Sequence, residues 1–183
     1  MLRRRSGREV IGHRIGLPSK LQCAAVGCDT PCRVTDHAKG SDDVDATVVG
    51  RVRASFARQG AMATLGAELA DVASGHVAIA LPIESRLSQQ NGFLHAGVVV
   101  AALDSACGYA ALTLMPADAE VLSVEFKVNL LAPAGGDSLL AEGEVVRAGR
   151  TLTVCRGDAY AEQDGEHVHV ATMLATMVRR RAG

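Results

Sequence analysis

Between Gln89 and Gly108 the chain reads Q-Q-N-G-F-L-H-A-G-V-V-V-A-A-L-D-S-A-C-G, with His95 and Asp104 nine residues apart. A histidine can hold or pass a proton near neutral pH. A carboxylate surrounded by apolar sequence can serve as general base or nucleophile. The Asn91-Gly92 pair marks a turn, and the long apolar run after Gly97 has the length of a buried helix. At about 1.5 Å of rise per residue, Ala96 and Asp104 lie about 12 Å apart along such a helix. A reaction that uses both the loop and the acid therefore needs a second copy of the chain to supply one half. Otherwise the two features are unrelated.

The elements that must position these residues follow from periodicity. Val48 to Gln59 has its apolar positions at helical spacing with charges between them, and Gly60 is expected to end that helix. Met62 to Ala70 and Gly75 to Leu81 read as two strands separated by a turn over Asp71 to Gly75, with Pro82 closing the second. The polar loop and the long helix come next, the helix ending near Pro116. Four strand-like runs follow. In Val121 to Leu131 the apolar Leu122, Val124, Phe126, Val128 and Leu130 alternate with Ser123, Glu125, Lys127 and Asn129, which predicts one apolar face and puts Ser123 on the other. Ser138 to Arg147, Thr151 to Ala161 and His167 to Val178 complete the set. They are joined by a Gly149-Arg150 hairpin and an Asp164-Gly165 turn, and the basic residues at the end are expected to fray.

Short connections imply antiparallel neighbours. A nearly all-apolar helix among them must be covered all round, most simply by a curved sheet wrapped around it. The fold class is α+β. On the helix, Gly97, Ala101, Asp104, Ser105 and Gly108 form a small or polar stripe that admits close approach of a backbone or a substrate.

Composition bounds the rest. The chain has 183 residues, 48% of them hydrophobic but only 3% aromatic, with no Trp, so the core must be Val, Leu and Ala. A net charge of −1 gives no argument for nucleic acid. The five cysteines are odd in number and scattered, unlike a secreted disulfide framework. This fits a cytoplasmic protein with reduced thiols. The basic start is not followed by a signal-peptide core, and the acid within Val98 to Met115 argues against a membrane span.

Residues 1–45 differ from the rest. They are rich in Arg, carry Cys23, Cys28, Cys32 and His37 at intervals unlike a standard zinc pattern, and end in a Gly, Ser and Asp linker. They read as an N-terminal extension outside the fold, with the folded domain over 46–183.

Gln89, the G-x-x-H-x-G segment Gly92 to Gly97, Asp104 at nine residues past the histidine, and Ser123 on the following strand together resemble the acyl-CoA thioesterases of the phenylacetate-degradation (PaaI-like) type. The resemblance runs from about Val48 to Val178. It implies a hotdog fold, hydrolysis of an acyl-CoA thioester with no cofactor beyond the substrate's own coenzyme A, and a homodimer, paired into a homotetramer, with sites at the dimer interface. It implies that Asp104 acts as general base or nucleophile on a thioester held by the other subunit. Backbone N–H groups of Ala96 and Gly97 at the helix start supply the oxyanion hole. Gln89 orients the thioester, His95 positions the loop or contacts the thioester, and Ser123 holds the attacking water. The family's segment usually reads His-Gly-Gly, whereas this chain has His95-Ala96-Gly97, and an alanine keeps its N–H. Two other functions compete with hydrolysis: a hotdog hydratase or dehydratase, which wants an acid close to the histidine, and a non-catalytic acyl-CoA-binding protein.

Overall fold

The structure, a computed structural model, describes residues 44–181. Cys23, Cys28, Cys32, His37 and the other residues before Val44 lie outside the described residues. Asp45, placed in the extension by the sequence reading, caps α1 by accepting from the Thr47 N–H at 2.8 Å. The elements are helix α1 (Ala46–Phe56), helix α2 (Gly60–Leu65), strands β1 (Glu68–Ala73) and β2 (His76–Pro82), helix α3 (Ala96–Thr113), and strands β3 (Ala119–Leu130), β4 (Ser138–Ala148), β5 (Leu152–Gln163) and β6 (Glu166–Arg181). All six strands form one antiparallel sheet in the order β1-β2-β4-β5-β6-β3, which leaves β3 as an open edge.

The sheet wraps α3, which packs against every strand. Val99, Ala102, Leu103, Ala106, Cys107 and Ala110 of α3 are buried against Ile79, Leu139, Cys155, Met173 and Met177 of the sheet. The small core residues have a geometric purpose. A Cβ on Gly143 would sit 2.4 Å from the Ala106 carbonyl carbon, and one on Gly157 would sit 2.9 Å from Cys107 Sγ. Helix and sheet therefore approach at backbone distance. By length and composition α3 could also cross a membrane, but here it is the inner layer of the fold.

Three expectations are corrected. Gly60 begins a second helix rather than ending structure; the stop is Gly66, whose left-handed φ of 70° caps α2. Met62 to Leu65 is accordingly helical, and β1 starts at Glu68 and runs through Asp71, leaving Ser74 and Gly75 as the turn. The basic end does not fray within the described residues: β6 continues to Arg181, held by pairing with Ala119 to Val121 of β3. The Asp164-Gly165 turn is as expected, with positive φ at both residues (53° and 81°).

The third correction bears on the site. The alternation over Leu122 to Leu130 is broken by a bulge between Ser123 and Glu125. Residues directly opposite in an antiparallel ladder share a face. Ser123 faces the buried Met177, while Phe126, Val128 and Leu130 face the buried Ala175, Met173 and Ala171. Ser123 thus lies on the helix side of the sheet with Phe126, Val128 and Leu130, and not on an outer polar face.

Candidate active site

Asp104 lies in the middle of α3 and is half-buried, where the helix surface meets β3. The bulge turns Ser123 towards it, and the serine hydroxyl donates to Asp104 Oδ1 across 2.6 Å. Both residues line a cleft of about 550 Å³ between α3, the start of β3 and α1. One carboxylate oxygen is thereby fixed, and the Ser123 oxygen keeps lone pairs for a further donor such as water.

The loop before α3 builds a second cleft of about 450 Å³, lined by Gln89, Asn91, Phe93, Ala96 and the end of β3 at Leu130 and Leu131. The loop is closed by its own bonds. Gln89 donates its backbone N–H to Phe93 O at 2.8 Å, Gly92 donates to Gln89 O at 3.0 Å, and Gln89 Oε1 accepts from the Asn91 N–H. Gly92 carries the positive φ (88°) that this turn requires. The side-chain amide nitrogen of Gln89 has no partner among the described residues.

His95 is the N-cap of α3, its Nδ1 accepting from the Gly97 N–H at 2.9 Å. An accepting Nδ1 places the ring proton of the neutral histidine on Nε2. A Cβ on Gly97 would come within 3.1 Å of that nitrogen, so the cap itself favours glycine there. Of the two oxyanion donors expected, the Gly97 N–H is therefore already engaged. The Ala96 N–H has no partner among the described residues and lies at the positive end of the helix.

The structure brings Asp104 and Ser123 into one cleft and Gln89 and Ala96 into the other, and no residue lines both. The His95 ring stays exposed at the helix start. Among the described residues no group of His, Cys, Asp or Glu could hold a metal. His169 is on the outer face of the sheet, stacked on Tyr160 at 4.9 Å and bonded to Asp158 at 3.1 Å.

The sequence reading missed the far wall of the Asp104 cleft. Arg51 of α1 donates to the carbonyls of Leu112, Met115 and Pro116 at and just past the end of α3, two of which also accept backbone N–H groups, from Met115 to Leu112 and from Ala119 to Pro116. That clasp seats α1 across α3 and brings Ser55 and Gln59 over Ser105 and Tyr109. The only signal was the four-residue spacing of Ser55 and Gln59.

The profile of the Thioesterase superfamily matches residues 91–168, which contain the loop from Asn91 onward, α3 and Ser123, with Gln89 just ahead of the matched range. A thioesterase family protein from Silicibacter pomeroyi shares 52% identity with this chain at a TM-score of 0.73, over 74% of this chain and 99% of that one. A 1,4-dihydroxy-2-naphthoyl-CoA hydrolase of Listeria monocytogenes is 27% identical over 52% of this chain and 77% of its own length. The PaaI protein of the E. coli phenylacetic acid degradation operon shares the fold, with a TM-score of 0.67 at 17% identity over 76% of this chain and 96% of that one. A six-stranded antiparallel sheet wrapped around one long helix, with this loop at the helix start, is the hotdog fold. The chain belongs to the thioesterase superfamily.

Proposed function

We propose that the protein hydrolyses acyl-CoA thioesters at sites shared between two copies of the chain. The observation that carries this is the split of the machinery: acid and serine in one cleft, orienting amide and free backbone donor in the other. The open β3 edge supports the assembly. Its inward residues Phe126 and Leu130 remain 42% and 56% exposed, and an exposed apolar edge invites pairing with another strand. Antiparallel pairing of two β3 edges brings the Ser123 end of one strand beside the Leu130 end of the other. Each Asp104 then meets a partner's helix start. Two such dimers pairing gives the tetramer expected from the resemblance.

In the reaction, the thioester carbonyl oxygen lies against the Ala96 N–H, with the Gln89 amide orienting the acyl-CoA. A water held by Ser123 gives its proton to Asp104 as its oxygen attacks the carbonyl carbon. The C–O bond forms, and the oxyanion that develops is stabilised by the Ala96 N–H at the positive helix end. Collapse breaks the C–S bond, and the proton on Asp104 passes to the departing coenzyme A sulfur. In the alternative course an Asp104 carboxylate oxygen attacks the carbonyl carbon, the C–S bond breaks to release coenzyme A thiolate, and water then cleaves the mixed anhydride to the free acid and the Asp104 carboxylate. The CoA hydrolase relative supports the choice of coenzyme A esters.

The test is release of free coenzyme A from a panel of acyl-CoAs by wild type and Asp104→Asn. Hydrolysis by wild type with a loss of about a hundredfold or more in the variant is expected for removal of an essential base. Hydrolysis that survives the substitution overturns the role of Asp104. Absence of any hydrolysis overturns the enzyme.

A further inference from the structure

The far wall of the Asp104 cleft carries four polar side chains that the hydrolytic chemistry does not use. Gln59 Nε2 donates to the Tyr109 hydroxyl at 2.9 Å, Tyr109 donates to Ser55 Oγ at 3.4 Å, and Ser105 donates to Gln59 Oε1 at 3.4 Å. The edge-on Phe56 ring, 5.8 Å from that of Tyr109, holds the tyrosine in place. All four residues line the same cleft as Asp104 and Ser123.

We propose that Ser55, Gln59, Ser105 and Tyr109 form a polar subsite that selects acyl groups bearing a hydroxyl or similar hydrogen-bonding group at their far end. This rests on the acyl-CoA reading above. Two of the three bonds are long for hydroxyl donors, so the network holds capacity in reserve. One Gln59 N–H is unspent, as are lone pairs on the tyrosine and serine oxygens, and the Ser55 hydroxyl proton has no acceptor among the described residues. A plain hydrocarbon tail seated here strips water from these groups and returns nothing. A tail ending in a hydroxyl restores the bonds, and sites of this kind reject the analogue that lacks the group. Placement sets the length. Tyr109 lies about 7.5 Å beyond Asp104 along α3, which matches a substituent some five bonds from the thioester carbon. Ser55 on α1, Gln59 in the turn that follows it, and Ser105 and Tyr109 on α3 supply the wall, so its polarity comes from both sides of the helix contact and is not a by-product of one amphipathic face.

The experiment compares kcat/KM for hexanoyl-CoA and ω-hydroxyhexanoyl-CoA with wild type, Tyr109→Phe and Gln59→Leu. Wild type is expected to favour the hydroxylated ester by about tenfold or more, the worth of one recovered buried hydrogen bond. Each variant is expected to bring the ratio close to one. A purely structural role for these side chains lowers both rates together and leaves the ratio where it was. A wild-type ratio near one, or a ratio unchanged in both variants, overturns the subsite. If neither ester is cleaved, the hydrolase reading fails separately. Calorimetric affinities for the same two esters then decide the subsite by the same ratio.

Discussion

Ser123 and Asp104 come from different elements, an edge strand and the central helix, yet the serine hydroxyl meets the Asp104 carboxylate at 2.6 Å within one chain. The contact exists because a bulge at Val124 reverses the facing of the strand just there. A hydrogen bond to a charged partner contributes about 1.5–3 kcal/mol. Ser123→Ala is therefore expected to lower kcat by about ten- to a hundredfold, less than Asp104→Asn, with the larger part of the effect in kcat and not KM. Ser123→Thr, which keeps the hydroxyl, should recover part of the rate. Steady-state kinetics of the three variants check this, and a Ser123→Ala enzyme as fast as wild type removes serine from the mechanism.

His95 acts on the helix as well as on the loop. Its Nδ1 satisfies the Gly97 N–H, and loss of an N-cap costs about 0.5–2 kcal/mol. His95→Ala should lower stability by that amount in denaturant unfolding, and His95→Asn, which can cap through its side-chain oxygen, should restore it. The two variants also separate capping from chemistry. If the imidazole only holds the helix start, His95→Asn turns over like wild type. A variant that is stable but slow assigns the Nε2–H a contact with the substrate.

How much of this could be read from sequence depended on whether the determining contact was local. The long helix, the five strands β2 to β6 and the Asp164-Gly165 turn were legible because burial period and turn residues sit side by side in the chain. So was the separation of Ala96 from Asp104, which needs only helical rise. The bulge was not. Leu122, Val124, Phe126, Val128 and Leu130 keep perfect alternation in sequence, and what breaks the register is pairing with Met177 and Thr176 some fifty residues away. Helix α2 was hidden because Gly60 and Gly66 look alike until one of them adopts positive φ. The Ser55, Gln59, Ser105 and Tyr109 wall was invisible for the same reason as the bulge, since Arg51 creates it by clasping the distant end of α3.

The proposed assembly predicts that activity and association fail together. Leu130 is 56% exposed on the open edge and lines the Gln89 and Ala96 cleft, so a charge there disturbs little within one chain. Leu130→Glu places a carboxylate where two β3 edges would meet, and burying it without a partner is costly. The expected outcome is a folded monomer by sedimentation and circular dichroism, with coenzyme A release reduced by about a hundredfold or more because no chain holds both clefts of one site. A monomer that retains full activity would show that a single chain suffices.

Alkaline stability should report on the contact between α3 and β5. Cys155 is fully buried, its thiol 3.5 Å from the Cys107 carbonyl, and burial pushes it up from 9.0 to about 11. Below pH 9 the thiol is protonated in both folded and unfolded chains, and the stability tied to it is fully present. As pH rises from about 9 to 11, the unfolded chain gives up that proton first, so unfolding is increasingly favoured and the contribution is lost. Burial pushes the Cys107 thiol up as well, so it adds to the same trend. Melting temperature is therefore expected to fall with pH more steeply in wild type than in Cys155→Ala over this window, even though the alanine variant starts lower through its lost packing. Parallel curves would mean that Cys155 ionises as readily folded as unfolded, and that the packing of β5 against α3 admits water.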